Sequence, residues 1–431
     1  MELALISAAV AVALAAVAVL PGSLGIVMFT HKVLARPAGA FIFNVLALPL
    51  WITSLVLLVV SALLATGNER SVWGVVLATV VVAGITVFGF LMHMRFMFNP
   101  VRDPRYLSLD QALERFGPEE EVVGVIDRLG RPFAYIARLA RRPHVVYQTQ
   151  GDAPFIMSHC ILSHSSMAYE LDDEFSASRI YVTSVLANNL VFYDKTNNCT
   201  VLQIQNRARD DSYRLKTLPT LHTSLANWKR FYPESRVWYR PKEWRDTFYL
   251  RLLARASVID QASPDLVYPL EREPDERLPL KAHVMGVSMG GETKAFPLEV
   301  FGHSPVVEDT VGGEPIVFLT SEDASLVHLF SRRIEPNRTL HLRSSAPEKF
   351  EDLETGSLWR CTGACVAGDL EGRQLDPIPH YNKIFWCVWA DFFPSTKVYS
   401  DSETDQTAPR HPQSPNKRSL PPKRSTYESE T

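Results

Sequence analysis

The sequence predicts an α+β protein, predominantly antiparallel β in two duplicated units, preceded by three transmembrane α-helices. Three observations predict it. The first hundred residues are apolar and almost free of charge, everything after Asn99 is polar and mixed, and one order of motifs recurs in that second part at a shift of about 160 residues. The 431 residues carry a formal net charge of −3, so electrostatics gives no reason to expect a nucleic-acid partner.

Residues 1–98 are expected to form the membrane region. A helix needs roughly 20 residues to cross about 30 Å of hydrocarbon. Three stretches meet that length: Leu3 to Leu20, continuing past Pro21-Gly22 to Met28; Ala40 to Ala65; and Val72 to Met92. A signal peptide is the alternative for residues 1–28, but signals begin with a basic residue and only Met1 and Glu2 precede the apolar run. A retained helix is therefore expected. The spans contain Asn44, Pro49 and Thr53 but no central ionisable residue, which suits anchoring better than transport.

Basic residues in short loops set the orientation. Lys32 and Arg36 flank the first connection and Arg95, Arg102 and Arg105 follow the third span, whereas the second connection has only Arg70 beside Glu69. The large domain is expected in the cytoplasm. The sequons Asn198-Cys199-Thr200 and Asn337-Arg338-Thr339 point the other way, because glycosylation needs a lumenal or extracellular domain. The odd set of Cys160, Cys199, Cys361, Cys365 and Cys387 suits reduced thiols.

Residues 99–120 read as a juxtamembrane linker. Beyond them, "EVVGVIDRLGRPFAYI" from Glu121 has a counterpart in "HVMGVSMGGETKAFPL" from His283. "TQGDAPFIM" from Thr149 pairs with "TVGGEPIVF" from Thr310, and "WKRFYPESRVWY" from Trp228 with "WADFFPSTKVYS" from Trp389. One register held this far implies a duplication, with repeat 1 over 121–240 and repeat 2 over 282–400. Short β-branched or aromatic segments such as "EVVGVI", "PFAYIA", "FIMSHC", "IYVTSVL" and "NLVFYD", punctuated by Gly, Pro, Asn and Asp, predict antiparallel strands and hairpins. Short helices are expected around Ala226 to Phe231 and Trp386 to Phe393, stopped by Pro233 and Pro394.

Residues 241–281 are expected to hold a connecting helix, with Trp244, Phe248 and Leu252 at helical spacing among Arg245, Arg251 and Arg255. It either packs on the repeats or rests on the membrane face. Residues 401–431 have almost no large aliphatic side chain and should be disordered; Ser419 and Ser425, each behind a Lys-Arg pair, are candidate phosphorylation sites.

"VMGV…GETKAFPLEV…H…VVEDTVGGEPIVF", followed by "FEDLETGSLWRCTGACVAGDLEGRQL", resembles the domain-of-unknown-function family 3179. Its members carry a V-x-G-V strand, an A-Y-P-L strand, an H-x-x-V-N-D-x-x-G-G-x-P turn, a Y-C-P-L-C motif and a Y-D-x-x-T-x-S-L-W run. "VVGV", "FAYI" and "LVFYDKTNN" carry the likeness into the first repeat. The resemblance implies a shared fold in two degenerate copies and no established reaction. The family's paired cysteines fall on Cys160 and Ser163 in one repeat and on Ser321 and Ala324 in the other, and its histidine is approximated by His144 and His303. Paired-thiol chemistry is therefore expected to be lost, because a dithiol couple needs two sulfurs in bonding range.

Site expectations centre on "MSHCILSH" over residues 157–164. Cys160 with His144 forms a catalytic candidate, a thiol and a base. Cys160 with His159 and His164 forms a metal-ligating candidate of zinc-like type, although no cofactor is required by the sequence. On a strand, His159 and Cys160 would face opposite ways. Cys361 and Cys365, and Glu308 and Asp309 beside the Gly312-Gly313 turn, are assigned structural roles. The leading functional expectation is a membrane-anchored binding or interaction module, held by the lipid bilayer and addressed to an unknown protein or small-molecule ligand. The alternative is a metal- or thiol-dependent redox or hydrolytic enzyme centred on Cys160.

Overall fold

The computed structural model of the chain describes residues 2–171, 179–209, 213–252 and 256–400. Expectations for Arg255, Ser419 and Ser425, and for the 401–431 tail, lie outside the described residues.

Three N-terminal helices, Glu2–Val19, Ala38–Leu64 and Glu69–Met92, are long and apolar enough to cross a membrane. They pack through small residues. Ala4, Ala8, Ala11 and Ala15 are buried along the first helix, and the Ser54 hydroxyl of the second donates to the Ala11 carbonyl at 2.8 Å. The first span is shorter than expected. It ends at Val19, because Pro21 has no N–H to continue a helix and a side chain at Gly22 would run into His93. A separate helix, Leu24–Leu34, comes next and buries Val27 and Leu34 in the core of the water-exposed domain.

The rest is a mixed α+β assembly in which most strand pairs are antiparallel. Residues 121–240 contribute an antiparallel hairpin, Glu121–Ile126 with Pro132–Ile136. Strand Thr220–Ser224 flanks it antiparallel, and Arg236–Tyr239 flanks it parallel on the far side. Residues 282–398 write the same order: the hairpin His283–Met289 with Glu292–Pro297, Tyr381–Phe385 antiparallel on one side and Lys397–Val398 parallel on the other. In both, a short helix, Leu225–Phe231 or Trp386–Phe392, precedes the parallel strand. The expected helices are there. Each half also carries two antiparallel meanders inserted between hairpin and closing helix.

Matching residues explain the matching geometry. Gly124 sits opposite Ala134 and Gly286 opposite Ala295, leaving room for the rings of Trp228 and Trp389. Each indole N–H donates to a hydroxyl seven residues on, Trp228 to Ser235 at 2.8 Å and Trp389 to Thr396 at 2.9 Å. The helix Trp244–Leu252 packs on the domain, burying Tyr249 while Trp244 stays exposed. Its Asp246 receives the buried Arg142 guanidinium at 2.5 Å.

Candidate functional site

The Cys160 corner comes first. Strand Phe155–Cys160 is the buried middle of a three-stranded meander between Val145–Gln148 and Ser165–Glu170, so its side chains alternate between two interiors. Cys160 faces the side of Tyr249 and Tyr268, where its thiol contacts the Asn188 carbonyl at 3.4 Å. Burial pushes that thiol up, which disfavours the thiolate a nucleophile needs. His144 donates from Nδ1 to the His159 carbonyl at 2.8 Å and packs on Phe98 and Tyr249, and burial lowers it to about 4. Hydrogen bonds thus tie Cys160 and His144 to different backbone carbonyls. No disulfide joins the described residues, and all five cysteines are buried. Glu308 binds Arg332 and the Leu342 N–H, and Asp309 binds Lys294, in the hairpin that turns at Gly312 and Gly313.

His159 faces the other way and enters a cluster the sequence only half revealed. Its Nδ1 meets the hydroxyl of Ser166, its cross-strand partner, at 2.8 Å. The same hydroxyl lies 2.9 Å from Nε2 of His222 on strand Thr220–Ser224, and His222 Nδ1 lies 3.2 Å from Glu121 Oε1. Glu121 pairs with Ser224 and His222 with Val123, which puts both on one face of the sheet. His164 turns in from the hairpin with a left-handed φ of 54°. It donates from Nδ1 to the Lys383 carbonyl at 3.1 Å and brings Nε2 to 3.8 Å from Glu121 Oε1. His283, at the start of strand His283–Met289 in the second half, holds its ring 4.7 Å from that of His164, tilted by 39°.

Burial disfavours the charged form of these imidazoles. It lowers His164 to about 4 and His283 to about 3, and drives His159 and His222 below the ordinary histidine value. Burial also works against the Glu121 carboxylate, but the His222 hydrogen bond and the neighbouring His164, His222 and Lys383 outweigh it and hold Glu121 well below the usual range. Burial lowers Lys383 in turn. The ligand atoms of Glu121, His164 and His222 all lie within 4.8 Å of one another.

The chain Ser166–His222–Glu121 has the order of nucleophile, base and orienting carboxylate. Ser166 is fully buried within its strand, which leaves a substrate no approach to its hydroxyl in this conformation.

A second feature opens between the halves: a cavity of about 620 Å³ lined by Asp127, Arg128 and Glu170 from the first half and by His328, Gln374 and His380 from the second. The Tyr232 hydroxyl shares a 2.7 Å hydrogen bond with His328 Nε2 across it. His328 Nδ1 and His380 Nε2 are buried without a hydrogen-bond partner. Burial lowers His328 to about 3 and His380 to about 4.

Of the metal-ligating candidates, His159 and His164 thus share the cluster and Cys160 does not. Glu121, His222, His283 and Lys383 were missed. The signal was faint but present: Glu121 and His283 open the corresponding "EVVGV" and "HVMGV" strands, where a polar residue begins an otherwise apolar run.

The family described as Protein of unknown function (DUF3179) matches residues 98–396 as one continuous stretch. No curated protein and no solved structure matches.

Proposed function

We propose, from the premise that this chain belongs to the DUF3179 family over residues 98–396, that it is a membrane-anchored binding protein whose ligand occupies the cleft between its two halves. The observation that carries this reading is the cavity itself. It is roughly 620 Å³, in the size range of small-molecule sites, and its walls come from both halves. Asp127, Arg128 and Gln374 supply polar groups in that lining, beside His328, His380 and the apolar rings of Phe231 and Phe330. A polar aromatic molecule of small size fits that lining.

The halves are read as an ancient duplication. The repeated strand order, the two glycine-tryptophan contacts and the two indole-hydroxyl bonds support it. The domain is read as cytoplasmic, supported by Lys32, Arg36 and Arg95 lying at the domain ends of the spans. Introducing the chain into glycosylating membranes tests that side: unmodified Asn198 and Asn337 agree with it, and a glycan on either, both exposed, reverses it.

The cleft is tested with the full-length protein in detergent against a fragment library of aromatic amides and carboxylates. Fragments that raise the melting temperature of the wild type and fail on a Thr217→Trp variant, which fills the cleft, support the reading. Hits that persist in the plugged variant, or an absence of hits, overturn it.

A further inference from the structure

We propose that Glu121, His164 and His222 form a site for a divalent transition-metal ion of the zinc type, with His283 beside them as a further imidazole. The site is distinct from the cleft and from the Cys160 thiol.

Donor chemistry points that way first. Two imidazoles and a carboxylate suit zinc and its neighbours. Zinc bonds of about 2.0–2.2 Å in tetrahedral geometry place ligand atoms about 3.3–3.6 Å apart, and here the Glu121 oxygen lies close to that spacing, 3.2 Å from His222 Nδ1 and 3.8 Å from His164 Nε2. Side-chain shifts of about 1 Å or less close the rest of a triangle whose atoms already lie within 4.8 Å.

Hydrogen bonding points there independently. His164 Nδ1 faces the Lys383 carbonyl, which only accepts, so this nitrogen carries a proton and Nε2 is the atom turned toward Glu121. Nε2 lies 3.8 Å from the Glu121 oxygen, too far for a direct hydrogen bond and at a spacing that one ion bonded to both would span. A cation there bonds to both; a bridging water is the competing occupant. The outer nitrogens have partners, His164 Nδ1 the Lys383 carbonyl and His222 Nε2 the Ser166 hydroxyl, and an ion at His222 Nδ1 would displace the proton that nitrogen now shares with Glu121. His283 Nε2, from the other half, is buried without a partner. Entry is open at the rim, where 36% of the Glu121 side chain and 21% of the His164 side chain are exposed. Lys383 is the charge that opposes a cation here, and removing it should tighten binding.

The test uses full-length protein purified without a histidine tag, stripped with chelator and titrated with Zn²⁺ and Co²⁺. Expected are one equivalent bound, cobalt d–d bands of a four- or five-coordinate ion, and a higher melting temperature with zinc. Glu121→Gln and His164→Gln, conservative changes at the partly exposed ligands, should each weaken binding tenfold or more. Lys383→Met should strengthen it, and Cys160→Ser should leave it unchanged. Neither bands nor a melting shift in the wild type overturns the site, as does undiminished binding in the Glu121→Gln/His164→Gln double variant or loss of metal on Cys160→Ser.

Discussion

At the scale of single residues, two glycines and one aspartate show how local chemistry fixes geometry. A Cβ on Gly124 would collide with the Trp228 ring, and one on Gly286 would come within 2.5 Å of Trp389. Both rings are fully buried, so neither has room to yield. Gly124→Ala and Gly286→Ala should each destabilise the domain by about 1–3 kcal/mol or more, read as a lower urea midpoint. Asp352 explains the "DLETGSLW" run in physical terms. Its buried carboxylate accepts from the Thr355 N–H at 2.6 Å and from the Trp359 indole at 2.8 Å, closing the turn that reverses the chain. Asp194 does the same with the Thr196 N–H in the first half. Asp352→Ala leaves buried donors unpaired and should cost about 3 kcal/mol by chemical denaturation.

Elements are decided by periodicity where one face is apolar and by neighbours where it is not. The stripe Ala4, Ala8, Ala11 and Ala15 lets the first long apolar helix approach the second closely enough for the Ser54–Ala11 contact. Ala11→Leu should push the two apart and lower the melting temperature in detergent, at a cost of about 1–3 kcal/mol. The helix Leu109–Phe116 begins with a reciprocal cap, in which the Ser108 hydroxyl accepts from the Gln111 N–H and the Gln111 side chain accepts from the Ser108 N–H. Ser108→Ala should cost about 1 kcal/mol, measured by thermal unfolding. The helix Leu24–Leu34 shows the limit of such reading. Its first six residues are as apolar as a span, and the break at Pro21-Gly22, the polar run Thr30-His31-Lys32 and the burial of Val27 and Leu34 reveal that it belongs to the domain.

For the whole molecule, buried neutral histidines make stability depend on pH with a definite sign. His144 and His380 titrate near 4 and His328 near 3 when folded, against about 6.5 when unfolded. Between those values the unfolded chain binds more protons than the folded one, so stability rises with pH across that window. It should be fully present above about pH 6.5 and drain away as pH falls toward 4, with each such group worth up to about 3 kcal/mol. Calorimetry from pH 7 to pH 4 should show a falling melting temperature, and His328→Asn should flatten the slope. Equal melting temperatures across that range would contradict the burial of these groups.

The sequence by itself determined the apolar spans, the strand-rich character of the water-exposed part, and the helix before each closing strand, because all three arise from short-range pattern: length of apolar run, alternation, and a proline stop. It also set the alternation that sends His159 and Cys160 to opposite sides of one strand. Tertiary structure alone decided which side each belongs to and what meets it there. Glu121, His159, His164, His222, His283 and Lys383 lie up to 262 residues apart in the chain and come together only because strands Thr220–Ser224 and Tyr381–Phe385 bring the two halves edge to edge. Side-chain chemistry at such separations depends on sheet order and register, which no local window of sequence encodes.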